Sequence, residues 1–177
     1  MKIINKLKMK IKNINTLSID NFIDTFKNIF EKTELIAVLS EKKRPFSNKN
    51  NLIDTFMIEF DNLKDEEKKN IIKNHPDLGN KLKIKNNLTE MSINEQKNAG
   101  LDNCTEEEYI FFSKKNNEFK LKFDLPFIFA VKGANKTEII NEFKRRSNND
   151  DKKKEFEESM RQVKKIAFFR LDEIIDE

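Results

Sequence analysis

Apolar residues recur along this chain mostly three and four positions apart, the pattern of helices that bury one face. From Ser18, the stripe Phe22, Ile23, Phe26, Ile29 and Phe30 predicts a first amphipathic helix, with a shorter one over about 34–40. A loop over 42–50 carries Arg44-Pro45-Phe46, and Leu52, Ile53, Phe56, Met57, Phe60 and Leu63 then form a second strong stripe. A break at 61–65 leads to a helix over 66–73, which His75-Pro76 stops, because proline biases the preceding residue away from helical geometry. Residues 77–90 read as a loop with weak helical content. Ser92-Ile-Asn-Glu95 and Thr105-Glu-Glu-Glu108 both match the capping box, in which hydroxyl and carboxylate satisfy each other's backbone N–H groups. Gly100 ends the first of these helices, and the second sends Tyr109, Phe112 and Phe119 toward a core. The most apolar run, 125–131, is short and bracketed by Pro126 and Gly133, which predicts a buried extended segment or irregular turn. Helices over 137–146 and 151–175 follow, separated by a polar loop. The expected fold is all-α: a single-domain helical bundle with one short buried non-helical apolar segment, spanning 14–177 behind a basic N-terminal arm at 1–13.

Composition narrows the chemistry. Three glycines in 177 residues provide neither a dinucleotide-binding G-x-G-x-x-G nor a P-loop. The single cysteine, Cys104, excludes an intramolecular disulfide, and the single histidine, His75, excludes His-pair metal motifs, so no metal or organic cofactor is expected. The net charge of +4 comes from 35 basic and 31 acidic residues of interspersed sign, as on a solvated helical surface, and predicts no nucleic-acid partner. No apolar run approaches the ~18 residues of a membrane span. The arm carries Ile3, Ile4, Leu7 and Ile11 at helical spacing between lysines, either a targeting or membrane-surface segment or a frayed end. The sequence ends in Ile-Ile-Asp-Glu, not the Ser-Lys-Leu peroxisomal signal, so a cytoplasmic protein is expected.

Few residues are left to carry chemistry. His75 suits general acid–base work near neutral pH, or simply closes a helix. Ser92 and Glu95 are accounted for by capping, and 127–131 by core packing. Arg170, in the apolar stretch Ile166-Ala-Phe-Phe-Arg-Leu171, needs an anionic partner: a structural carboxylate or a bound substrate. Cys104 sits among acidic residues, which raise a thiol pKa, and is a poor nucleophile.

His75-Pro-Asp-Leu-Gly79, followed by Ser92-x-x-Glu95-Gln96-x-x-Ala99-Gly100-Leu101, closely resembles the signature of the OHCU decarboxylases. These enzymes act on 2-oxo-4-hydroxy-4-carboxy-5-ureidoimidazoline after urate oxidation. The resemblance continues through Asn116-x-x-Phe119-x-x-Lys122-Phe123-x-x-Pro126-Phe127-Ile128, then Phe143, Arg145, Asn148 and Glu155, to Lys165-Ile166-Ala167-x-x-Arg170-Leu171. Upstream, Phe30-Glu31 and Arg44-Pro45-Phe46 also fit, so it covers about 14–171. It implies an all-α, cofactor-independent homodimer that releases carbon dioxide and leaves (S)-allantoin. It also implies roles: His75 as catalytic acid/base with Glu95 beside it, and Pro76 shaping the same wall. Ser92, Ile93, Asn94, Glu95 and Gln96 would line the substrate, with Gln96 hydrogen-bonding its ring or ureido group. Phe127, Ile128, Phe129, Ala130 and Val131 would present backbone groups to the heterocycle, and Arg170 would hold a substrate oxygen. Leu35, Lys115, Phe119, Asp124 and Arg146 depart from the family's usual tryptophan, leucine, tyrosine, glycine and leucine. Two other readings fit the residues: a divergent relative that binds another ureide or purine-derived anion without decarboxylating it, and a helical interaction module with lysines gathered on one face.

Overall fold

The computed structural model describes residues 8–79 and 88–177. Strand β1 (Met9–Lys10) leads into α1 (Ile11–Asn15), α2 (Ile19–Phe26), α3 (Leu35–Glu41), α4 (Lys49–Asp61) and α5 (Asp65–Asn74). After the loop come α6 (Glu90–Asn98), a 3-10 turn (Leu101–Asn103), α7 (Glu106–Phe123), α8 (Lys136–Ser147), α9 (Lys152–Ile174) and strand β2 (Ile175–Asp176). The fold is all-α apart from β1 and β2, which pair in parallel. Met9 and Lys10, from the expected arm, are therefore tied to the C-terminal segment. Residues 1–7 of the expected arm and 80–87 of the expected loop lie outside the described residues.

Short polar side chains set where the helices begin, by taking N–H groups that lack a partner in the first turn. Ser18 caps α2, Asn48 caps α4 and Asp151 caps α9. Thr105 with Glu108, and Asn135 with Glu138, form reciprocal boxes at the starts of α7 and α8. The expected box at Ser92 is displaced. Thr89 is the cap of α6 and accepts the Ser92 N–H at 3.3 Å, so Ser92 lies inside the first turn with its hydroxyl directed elsewhere. The first stripe is also cut short. α2 ends at Phe26, and Ile29 and Phe30 are buried from a turn in which Lys32 adopts φ +50.

Two aromatic clusters fill the bundle. Phe22, Phe26, Phe46 and Phe56 pack within the α2–α4 half, with Phe30 stacked on Phe60 at 5.0 Å. Phe119, Phe127 and Phe143 fill the α7–α8 half, where Phe127 and Phe143 stack at 3.8 Å. The segment 125–131 is largely buried and non-helical, as its brackets predict. α9 packs against α4 and α5, and its Arg170 reaches the turn after α2.

Candidate active site

His75 closes α5 in an extended conformation, its N–H donating to Ile72 C=O at 3.1 Å. Pro76 then prevents the helix from continuing. The loop that follows is clamped from two helices. Gln96 of α6 accepts the Gly79 N–H at 3.1 Å and donates Nε2 to Asp77 C=O at 3.3 Å, while Asn116 of α7 donates to Leu78 C=O at 2.9 Å. Gly79 is required there: its φ is +69, and a Cβ would lie 2.5 Å from the Phe112 ring. Lys120 with Asp77 at 2.6 Å, and Lys69 and Lys73 with Asp124 at 3.0 Å each, tie the end of α5 to α7.

The loop holds His75 at 7% exposure, and its Nε2 is buried with no hydrogen-bond partner among the described residues. Burial, and then the nearby Arg170 charge, push the imidazole down to about 3 against an opposing pull from Glu31. It is thus a neutral ring, not the half-protonated one its residue type suggests.

Arg170 sits at the centre of this region, 2% exposed. Nε and Nη2 grip Glu95 at 2.7 and 2.8 Å, fork to fork, and Nη2 also donates to Ser92 Oγ at 3.0 Å. Nη1 donates to Asn28 C=O at 2.9 Å and pairs with Glu31 at 3.0 Å. All five guanidinium N–H groups therefore have partners within the protein. Of the two kinds of partner expected for Arg170, the structure provides structural carboxylates, and provides two.

Glu31 is the second, and the motif reading gave it no role. It is fully buried, and accepts from Ser92 Oγ at 2.7 Å, from Thr89 Oγ1 at 3.0 Å and from Arg170. Burial raises its pKa, but the Arg170 charge, the Ser92 hydroxyl, His75 and the Thr89 hydroxyl together outweigh that and hold the carboxyl below its ordinary range. An acid directly after the buried pair Ile29-Phe30 was the available signal.

The structure thus gathers His75, Ser92, Glu95 and Arg170, with Glu31 and Thr89 added. Pro76 lies half-buried on the loop, and Gln96 uses both ends of its amide on that loop. Ile93 is half-buried, whereas Asn94 is exposed, on the face of α6 opposite Ser92 and Gln96. Phe127, Ile128, Ala130 and Val131 are buried and Phe129 half-buried. Three of their backbone groups are engaged inside the protein: Ile128 C=O by Arg146, Ala130 N–H by Gln162 and Val131 C=O by the Ala134 N–H. An open cleft lies on the outer side of that segment, lined by Phe129, Ala130, Lys132, Arg145 and Lys165 among others. Arg145 there is already paired with Glu142, and Lys132 with Glu173. Four buried side-chain atoms among the described residues lack a hydrogen-bond partner, Ser40 Oγ, Asn116 Oδ1, Ser147 Oγ and His75 Nε2, and of these only the His75 nitrogen can titrate, which makes it the stronger mark of chemistry. Among the described residues, no group of three or more His, Cys, Asp or Glu is arranged to hold a metal, and no helix is long and apolar enough to cross a membrane.

Comparison with known proteins places this geometry. The family model described as OHCU decarboxylase matches residues 15–172. A "Uric acid degradation bifunctional protein" of Bacillus sp. (strain TB-90) is 36% identical over 169 residues, 96% of this chain but 33% of that protein. The "2-oxo-4-hydroxy-4-carboxy-5-ureidoimidazoline decarboxylase" of Xenopus laevis is 31% identical over 163 residues, 92% of this chain and 93% of that protein. The chain therefore spans a third of the bifunctional relative and nearly all of the Xenopus one. Among solved structures, the "Crystal structure of (S)-allantoin synthase" superposes with a TM-score of 0.76 at 20% identity, covering 95% of this chain and 54% of that one.

Proposed function

Because the chain belongs to the OHCU decarboxylase family, we propose that it is a carboxy-lyase that converts 2-oxo-4-hydroxy-4-carboxy-5-ureidoimidazoline to (S)-allantoin and carbon dioxide in urate degradation. The observation that carries the reading is the buried, unpartnered Nε2 of the only histidine, beside a guanidinium held by two carboxylates.

The substrate's carboxylate sits on a ring carbon next to a C=N bond. When carbon dioxide leaves, the electron pair of the broken C–C bond forms a ring C=C and the imine pair moves onto its nitrogen, which takes a proton from solvent, so the protein has to supply orientation, charge and proton movement. His75 is neutral before substrate binds. In the tautomer protonated at Nδ1, its Nε2 accepts the proton of the substrate's hydroxyl as that carbon becomes a carbonyl. The bound anion favours the imidazolium and raises the ring's pKa during turnover. The imidazolium then returns the proton to the neighbouring ring carbon from one face, which fixes the S configuration. Glu95, whose side chain is 24% exposed while Arg170 holds it, accepts from ureido N–H groups. Gln96 acts at one remove, by bracing the loop that carries His75. A relative that only bound its ligand would have no need of all three groups, so His75, Glu95 and Arg170 in one cluster favour turnover over simple binding. Exposed Ile110 and Leu121, eleven residues apart on one face of α7, support a homodimer, which sedimentation equilibrium would report as twice 21.1 kDa.

The test is an assay with freshly generated substrate, following (S)-allantoin by circular dichroism. Wild type should outpace spontaneous decay, and His75→Gln should lose roughly 10²–10⁴ of that rate. A wild type no faster than decay, or a His75→Gln as fast as wild type, sinks the proposal.

A further inference from the structure

Arg170 has more negative partners than its charge requires. Glu95 alone would neutralise it, and a bidentate pair is already complete without Glu31. Adding Glu31 brings the formal charge of the cluster to −1 and places a second carboxylate at 0% exposure. Burial of an extra charge is costly, and apolar residues of similar volume usually serve stability as well or better. Stability therefore gives a poor account of Glu31, and its contacts suggest another.

Glu31 joins its own turn to two helices. From the turn after α2 it reaches Arg170 on α9, and on α6 it takes both the Thr89 hydroxyl and the Ser92 hydroxyl. Thr89 is the cap of α6, its hydroxyl accepting the Ser92 N–H while donating to Glu31. Ser92 in turn accepts from Arg170 Nη2, whose other bond goes to Glu95. Glu31 thus fixes the start of the helix that carries Glu95 and one edge of the guanidinium that grips Glu95.

We propose that Glu31 is a positioning residue for the decarboxylation: its carboxylate locks Thr89, Ser92 and Arg170 into one network, so that Glu95 is presented in a single orientation beside His75. This rests on the decarboxylase reading above. Glu31 touches no substrate. Its loss should slow the chemical step while leaving substrate affinity nearly intact, because a small displacement of a catalytic constellation costs up to ~10²-fold in rate.

The experiment compares wild type with Glu31→Gln and Glu31→Asp in two readouts. In the kinetic one, Glu31→Gln should lower kcat by roughly 10–100-fold with KM within about threefold of wild type, and Glu31→Asp should recover part of the loss. The second readout needs no substrate: NMR of the arginine side chains, where Arg170 guanidinium protons protected in wild type should exchange faster in Glu31→Gln. A folded Glu31→Gln with wild-type kcat overturns the proposal, as does a variant whose only defect is a lower melting temperature. If Glu31→Gln does not fold, Ser92→Ala cuts the same network while leaving the Glu31–Arg170 pair intact, and an unchanged kcat there overturns it equally. A wild type without decarboxylase activity whose Arg170 protection still depends on Glu31 would remove the functional reading and keep the network. An active wild type with an indifferent Glu31 would do the reverse.

Discussion

Two arginines are buried to the same 2% in this bundle, and their surroundings differ in kind. Arg146 on α8 meets one carboxylate, Glu155 on α9, which is itself 1% exposed. The pair is closed by Ser159 and Ile128 C=O and roofed by the Phe127 ring, whose centroid lies 4.6 Å from the guanidinium carbon. It is electrically balanced, and it pins the extended segment to α8 and α9. Arg170 meets two carboxylates, one of them partly open to solvent, with an unsatisfied histidine nitrogen alongside. A buried ion pair that is complete in charge and hydrogen bonds holds a fold in register. A cluster with a surplus charge and an unsatisfied acceptor is suited to meeting a group from outside the chain.

Substituting each arginine by methionine should break this contrast most sharply. Arg146→Met leaves Glu155 buried and alone, which costs about 3–5 kcal/mol, and Arg146→Met with Glu155→Leu should recover most of it in urea unfolding. Arg170→Met should abolish turnover, and the same urea experiment on Arg170→Met with Glu31→Leu should recover stability without recovering activity.

The two clusters should also respond to acid with opposite sign. His75, held near 3, favours the neutral ring, so its contribution to stability is full above its ordinary 6.5 and is lost as pH falls toward 3. Glu31, held below its ordinary range, likewise contributes above that range and is lost as pH falls through its lowered value. Glu155 is raised, chiefly by burial against the lowering effect of Arg146, so its contribution is present in acid and lost as pH rises through its raised value. Urea unfolding followed from pH 7 toward 4 should show stability falling less steeply than wild type in His75→Gln and more steeply in Glu155→Gln. The two slopes should diverge across that window.

Smaller effects test the supports. Gly79→Ala should cost about 1–3 kcal/mol through the clash with Phe112 and the left-handed backbone, and should lower kcat by shifting the His75 loop. Asp124→Gly exchanges two exposed ion pairs for relief at φ +57, and its melting temperature should stay within a few degrees of wild type.

Most of the helices were legible because each carries its own stripe and cap within a few residues. The long α9 and the box at Thr105 matched their patterns nearly to the residue. Ser92 was misread because its spacing to Glu95 fits a local box, while its hydroxyl is drawn to a carboxylate 61 positions away. Arg146 was half legible: Ile139, Phe143 and Arg146 recur at four and three, which places the arginine on the buried face of α8. The partners of Glu31 and the suppressed basicity of His75 were not legible. Both arise where α2, α5, α6 and α9 converge, and no local periodicity encodes that meeting.

The parallel pairing of β1 with β2 has an architectural consequence. Met9 lies opposite Ile175, so the described residues begin and end on neighbouring strands, two doors side by side. A domain with such adjacent doors can be spliced into a longer polypeptide as a cassette, interrupting its host at a single peptide and leaving both interiors undisturbed.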